Sequence, residues 1–244
     1  MRIRNVVQLH TVNKLQAFGW PLIIMAMSLT LVLIVGALII GVSTSDGSLA
    51  ESRAGMNMGM QYNGAIFALL GPLIGFGFTA MGQYFPLALG LGLTRREFAT
   101  GTALVFVGNA AFYAVIITIG KVIEVATGGF GLSIRFFDVA YTGMGEWWQT
   151  LIQSFLLILS VMLVGAAITT AFQRWGQSFL WIFWIGLGVV VLAIVAGSLL
   201  SEPFRGFAGG VLGMGWGPWM LVVAAVGALG AAVWLTLVRR AQAR

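Results

Sequence analysis

Six long apolar stretches, at residues 20–42, 62–91, 98–120, 147–172, 175–200 and 216–238, alternate with short polar segments, and none contains Asp, Glu, Lys or Arg. A bilayer-spanning helix needs about 20 apolar residues, each rising about 1.5 Å. Every one of these stretches is long enough to cross once. The uncharged region 54–94 is too short for two full helices and a turn, so it counts as one span. The pattern predicts an all-α integral membrane protein with six transmembrane helices, divided into an N-terminal segment (1–19) and one transmembrane domain (20–244).

The composition points the same way. Hydrophobic residues make up 59% of the chain and charged residues 8%, where soluble domains carry about 25% charged. A soluble fold could not hide so much apolar surface behind so few charges. With no cysteine, thiol catalysis, disulfides and cysteine metal sites are all excluded. The net charge of +6 is spread over single cations and pairs at the ends of apolar runs. No basic stripe exists, so nucleic acid is not an expected partner. The 19 mixed polar residues before the first span do not read as a signal peptide.

The flanking cations give an orientation. Arg2, Arg4, Lys14, Arg95, Arg96, Arg174, Arg239, Arg240 and Arg244 fall on one side, and Arg53, Lys121, Arg135 and Arg205 on the other. Nine against four predicts that the first side is cytoplasmic, N-in and C-in. Among the acids only Glu97 joins that side, while Asp46, Glu51, Glu124, Asp138, Glu146 and Glu202 lie opposite. Trp20, Trp175, Trp181 and Trp234 near one set of helix ends, and Trp147, Trp148, Trp216 and Trp219 near the other, are expected in the interfacial aromatic belts.

Few residues offer chemistry. The only histidine, His10, is expected to be solvated in the N-terminal tail. Without a histidine in the spans, neither a metal site nor a serine hydrolase is expected there. Ionisable groups are absent from all six stretches, which argues against ion-coupled transport. Neither lysine, Lys14 or Lys121, sits in a P-loop pattern, so ATP hydrolysis is not expected of this chain. Lys121 and Glu124, three apart, are expected to form a local ion pair. Asn109, near the middle of the third span, suits an interhelical hydrogen bond or a substrate contact.

The second span carries Gly71-Pro72-Leu73-Ile74-Gly75-Phe76-Gly77-Phe78. Gly71 and Gly75 make a small-xxx-small face for close helix approach. Pro72 predicts a kink. The segment suits either a deformable wall for an apolar substrate, with Phe76, Phe78, Gln83 and Asn109 along the path, or ordinary tight packing.

The segment Leu89-Gly90-Leu91-Gly92-Leu93-Thr94-Arg95-Arg96-Glu97-Phe98, with Gly101 beyond it, is the most informative. Thr94 and Glu97 have capping-box spacing, which predicts a helix starting at Arg95. Two readings of Arg95 and Arg96 stand side by side: positive-inside retention, or contact with an acidic partner. This segment, and the later Phe172-Gln173-Arg174-Trp175-Gly176, resemble the permease subunits of ABC-2 type transporters, as do the span count and length. The resemblance implies a bacterial plasma-membrane exporter subunit working with two copies of a separate ATPase subunit, which would hold the ATP and Mg, and with a second permease chain, the same or different. It implies that Leu93, Thr94, Arg95, Arg96, Glu97 and Phe98 form the ATPase-coupling element. It also implies that residues 1–19 form a cytoplasmic connector helix, and that the first, second and fifth spans line the path.

On a helical wheel Val6, Leu9, Val12 and Leu15 scatter, so residues 1–19 read as only weakly amphipathic. The resemblance also implies a re-entrant element in 201–215; a plain loop fits the same sequence. The implied cargo is amphipathic or apolar: a drug-like compound, a lipid or a hydrophobic peptide. Two readings from other classes remain, a self-contained channel or facilitator, and a non-transporting assembly factor.

Overall fold

A computed structural model describes residues 2–45 and 47–240; Asp46 and Arg244, named above, lie outside the described residues. The described chain is helical, with no strand among its residues, and six of its helices are long and apolar enough to cross a membrane. Helix α1 (Arg2–Thr11) is followed by a π-helical turn (Leu15–Gly19) that runs into α2 (Trp20–Ser45). The second candidate span is composite. It strings together α3 (Leu49–Gly59), a 3-10 segment (Gly64–Leu69), α4 (Leu70–Thr79), a π turn (Ala80–Tyr84) and α5 (Phe85–Gly90). Then come α6 (Arg95–Ala126), α7 (Trp147–Trp175), α8 (Gln177–Leu200), α9 (Glu202–Leu212) and α10 (Trp216–Arg240).

The prolines explain why the second span changes helix type. Pro72 has no N–H to give and sits in the first turn of α4, where a helix has orphan donors anyway. The chain changes from 3-10 to α geometry at Leu70, two residues before Pro72. Pro86 acts further along. In the π turn, Phe85 N–H bonds Ala80 O, and the next residue, Pro86, has no N–H to offer. The Met81 carbonyl therefore turns sideways and accepts from Gln173 Nε2 of α7 at 2.7 Å. Breaking the i→i−4 ladder here creates an interhelical tie.

α7 is the hub, packed against α4, α6 and α10. Its buried face is rich in small residues, Gly165, Ala166, Ala167 and Ala171 among them, which lets neighbours approach closely where lipid supplies no hydrophobic drive. A Cβ on Gly77 would lie 3.3 Å from Ala166 N and Met162 O, and one on Gly230 would lie 3.2 Å from Val164 N. The close-packing face of the second span is thus at Gly77. Gly71 and Gly75, expected to serve that purpose, face open space.

α8 stands apart. None of its residues is buried, and it joins α7 through the single residue Gly176, at φ +72°, ψ −161°, a conformation open essentially to glycine alone. Between α8 and α10 the chain forms the helix α9 rather than a plain loop. Ser201 caps it, accepting from Phe204 N–H, while Arg205 reaches back to the Ser198 and Leu199 carbonyls at 2.9 and 3.1 Å.

Two sequence expectations fail on burial. His10 is fully buried rather than solvated. α1 ends at Thr11, so Val12 and Leu15 leave its wheel, and Val6 and His10, one turn apart, form a single inward stripe. Trp234 is 1% exposed, with its ring 5.8 Å from that of Phe106, so it is a core residue and not part of a belt. Its indole N–H points at Met81 Sδ, 3.2 Å away. Trp20, Trp147, Trp148, Trp175 and Trp181 are exposed, as a belt needs.

Candidate functional site

The turn joining the second and third spans is closed by two caps in succession. α5 ends in a Schellman motif, with Leu93 N–H on Ala88 O and Gly92 N–H on Leu89 O, both at 3.0 Å. Gly92 supplies the left-handed conformation this needs, at φ +77°. Thr94 then opens α6. Its Oγ1 accepts Glu97 N–H at 3.2 Å, and its own N–H donates to the Glu97 carboxylate at 2.8 Å. The capping box therefore forms at the position its spacing predicts, and hydrogen bonds hold the turn at both of its ends.

The six residues of this element play different parts. Phe98 is fully buried against Phe85 and His10, with ring centroids 5.2 and 5.7 Å away, so it anchors the turn from inside. Leu93 is half-buried against the core, and Glu97 is half-buried in the cap. Thr94 and Arg96 are exposed. Arg95 folds across to the end of α10, donating from Nη1 to Arg239 O at 2.8 Å. Outward the turn presents Leu91 and Gly92 as well as Thr94 and Arg96.

Behind the turn lies a docking joint that the sequence does not announce. The side chain of Val6 sits where a Cβ on Gly101 would be, 2.6 Å away. One turn later His10 Nε2 meets Thr102 Oγ1 at 2.9 Å. The rings of Tyr84, Phe98 and Phe76 surround the imidazole at 5.0, 5.7 and 5.8 Å. Burial lowers the His10 pKa from 6.5 to about 4, so it is neutral at physiological pH. Tyr113 adds a second tie, its hydroxyl reaching the Ala17 and Phe18 carbonyls, both 3.1 Å away in the first π turn. The Val6 and His10 contacts, with the Arg95–Arg239 bond, place α1, the start of α6 and the end of α10 at one end of the bundle.

At the opposite end of α6 the expected Lys121–Glu124 pair is replaced by a wider network. Lys121 Nζ lies 3.0 Å from Asp138 Oδ1, outside hydrogen-bonding geometry. Its protons go to the Gly143 and Gly145 carbonyls and to Thr150 Oγ1. The Glu124 carboxylate accepts the N–H groups of Phe136, Phe137 and Asp138 at 3.0, 2.8 and 3.1 Å. Asp138 also pairs with Arg135 at 3.1 Å. α6 is 32 residues long, about 48 Å, against a hydrocarbon core of about 30 Å. Its charged last turns therefore have room to emerge, and they hold the loop 127–146 in place.

The path candidates do not converge within one chain. Phe76 and Asn109 point inward, each 2% exposed, whereas Gly71, Phe78 and Gln83 are exposed and Pro72 and Gly75 half-buried. Asn109 makes no interhelical bond: its Nδ2 donates to Val105 O in its own helix at 3.0 Å, and its buried Oδ1 has no protein partner. No group of His, Asp and Glu suited to a metal ion occurs among the described residues. In class, the chain is a polytopic all-helical protein with six candidate membrane spans. No protein family, curated protein or solved structure matches it.

Proposed function

We propose that the chain is the transmembrane subunit of an ATP-driven ABC exporter of the ABC-2 type, inserted N-in and C-in in a bacterial plasma membrane. Two permease chains form the path, two ATPase subunits bind below, and those subunits hold the ATP and Mg. The doubly capped turn at Leu91–Glu97 is the observation that carries the reading. A short element fixed by a Schellman motif and a capping box moves as a unit, and Phe98 links it to the core, so a push from outside reaches α5 and α6 together.

Other features fit the same reading. Nine of thirteen cations flank one set of helix ends, the end where α1, Arg95 and Arg239 meet. α1 is then the connector, pinned to α6 through Val6 and His10. Gly71, Gly75 and Phe78 form an outward face of the second span, which suits a path built between two permease chains. Its apolar character suits an amphipathic or apolar cargo. Replacing Arg95 and Arg96 together with Glu tests the coupling role. The double variant is expected to insert normally and to lose stimulation of ATP hydrolysis by the permease. Normal stimulation would overturn the assignment.

A further inference from the structure

The start of α6 and the end of α10 enclose a cavity of about 560 Å³. Arg95, Arg96 and Arg239 line it, together with Thr100, and no carboxylate lies among its described lining residues. Its remaining walls are apolar, from Ala99, Leu235 and Val238. We infer that this cavity is a binding site for the headgroup phosphate of an anionic diacyl phospholipid.

Electrostatics supplies the first half of the argument. Three arginines lining one cavity bring like charges together, and a bound anion relieves their repulsion. Guanidinium forks match phosphate oxygens in pairs. Arg95 is already oriented by its bond to Arg239 O, which also neutralises one carbonyl at the negative end of α10.

The apolar surface beside the cavity favours a lipid over a soluble anion. From Thr100 an exposed stripe climbs α6 one turn at a time through Leu104 and Val107 to Ala111. On α10 the same surface continues from Leu235 through Ala232 and Ala228, all exposed. Both helices lean on α7 and touch each other little, so a shallow apolar furrow leads from the cationic cavity toward the middle of the bilayer. A headgroup in the cavity places acyl chains in that furrow. Basic pockets between helix ends at a membrane surface bind anionic lipids on these terms.

The inference rests on membrane insertion and not on the transport reading, so it is tested on the permease alone. The full-length chain is released from nanodiscs containing equal phosphatidylglycerol and phosphatidylcholine, and retained lipid is read by native mass spectrometry. Phosphatidylglycerol is expected to be enriched, and Arg239→Gln and Arg96→Gln each to lower the enrichment about fivefold, as one arginine is worth at such a surface. Arg174→Gln, at another exposed arginine, should leave it unchanged. Equal retention of the two lipids, or an unchanged ratio in Arg239→Gln, overturns the proposal. Displacement of the lipid by millimolar inorganic phosphate would show a soluble-anion site and overturn the lipid assignment.

Discussion

His10 Nε2 and Thr102 Oγ1 lie 2.9 Å apart although 92 residues separate them in sequence. This bond fastens the N-terminal helix to the third span inside a cage of Phe76, Tyr84 and Phe98. Because burial lowers the His10 pKa from 6.5 to about 4, docking favours the neutral ring. The docked state keeps its full stability above pH 6.5 and loses it as pH falls toward 4, where the undocked histidine binds a proton and the docked one does not. The shift corresponds to roughly 3 kcal/mol at most.

Hydrogen exchange over residues 2–11 checks this. Protection is expected to fall markedly between pH 7.5 and 5 in the native chain, and His10→Phe, which cannot titrate, should flatten the dependence. A native chain whose protection is the same at both values would rule the linkage out.

The glycines of the second span make opposite predictions. Gly77→Leu drives a side chain into the α7 backbone at Met162 and Ala166 and is expected to destabilise the monomer by about 1–3 kcal/mol. Gly75→Leu projects into open space and should stay within about 0.5 kcal/mol. Thermal unfolding in detergent measures both, and equal losses would contradict the packing described.

Lys121 anchors the loop 127–146 by a charge pair with Asp138 and by hydrogen bonds to the Gly143 and Gly145 carbonyls, with a third bond to Thr150 of α7. Lys121→Met leaves Asp138 with Arg135 alone and the Gly145 carbonyl without its donor, a loss of about 1–3 kcal/mol. Limited proteolysis should cut the loop much faster in the variant. Lys121→Met combined with Asp138→Leu should cost less than the two single changes added together, since the Lys121–Asp138 pair is lost only once. Simple additivity would show that the pair is not coupled.

Much of this architecture is legible in the sequence because spanning a bilayer imposes a coarse, local rule. Uncharged apolar runs mark the helices, and Gly92, Thr94 and Glu97 mark the turn, since caps depend on neighbours within a few residues. Which glycine packs is not legible. Gly71, Gly75 and Gly77 have the same local chemistry, and only the position of α7 selects Gly77. His10 is misleading for a similar reason: nothing near it in sequence shows that Gly101 and Thr102 provide a slot and a hydroxyl. The Lys121 and Glu124 spacing suggests a mutual pair, yet the loop 127–146 offers each a better set of partners. Pro86 and Gln173 show the same limit, because a carbonyl freed by one proline is filled from a helix far along the chain.

The proposed role of this chain is the membrane half of an ATP-driven exporter. It is tested most directly by purifying the tagged full-length protein from its native membrane under mild conditions and identifying what comes with it. The account predicts a Walker-type ATPase subunit in equal number with the permease chain, lost when Arg95 and Arg96 are both replaced by Glu. Recovery of an oligomer of this chain alone, conducting ions in planar bilayers, would contradict it.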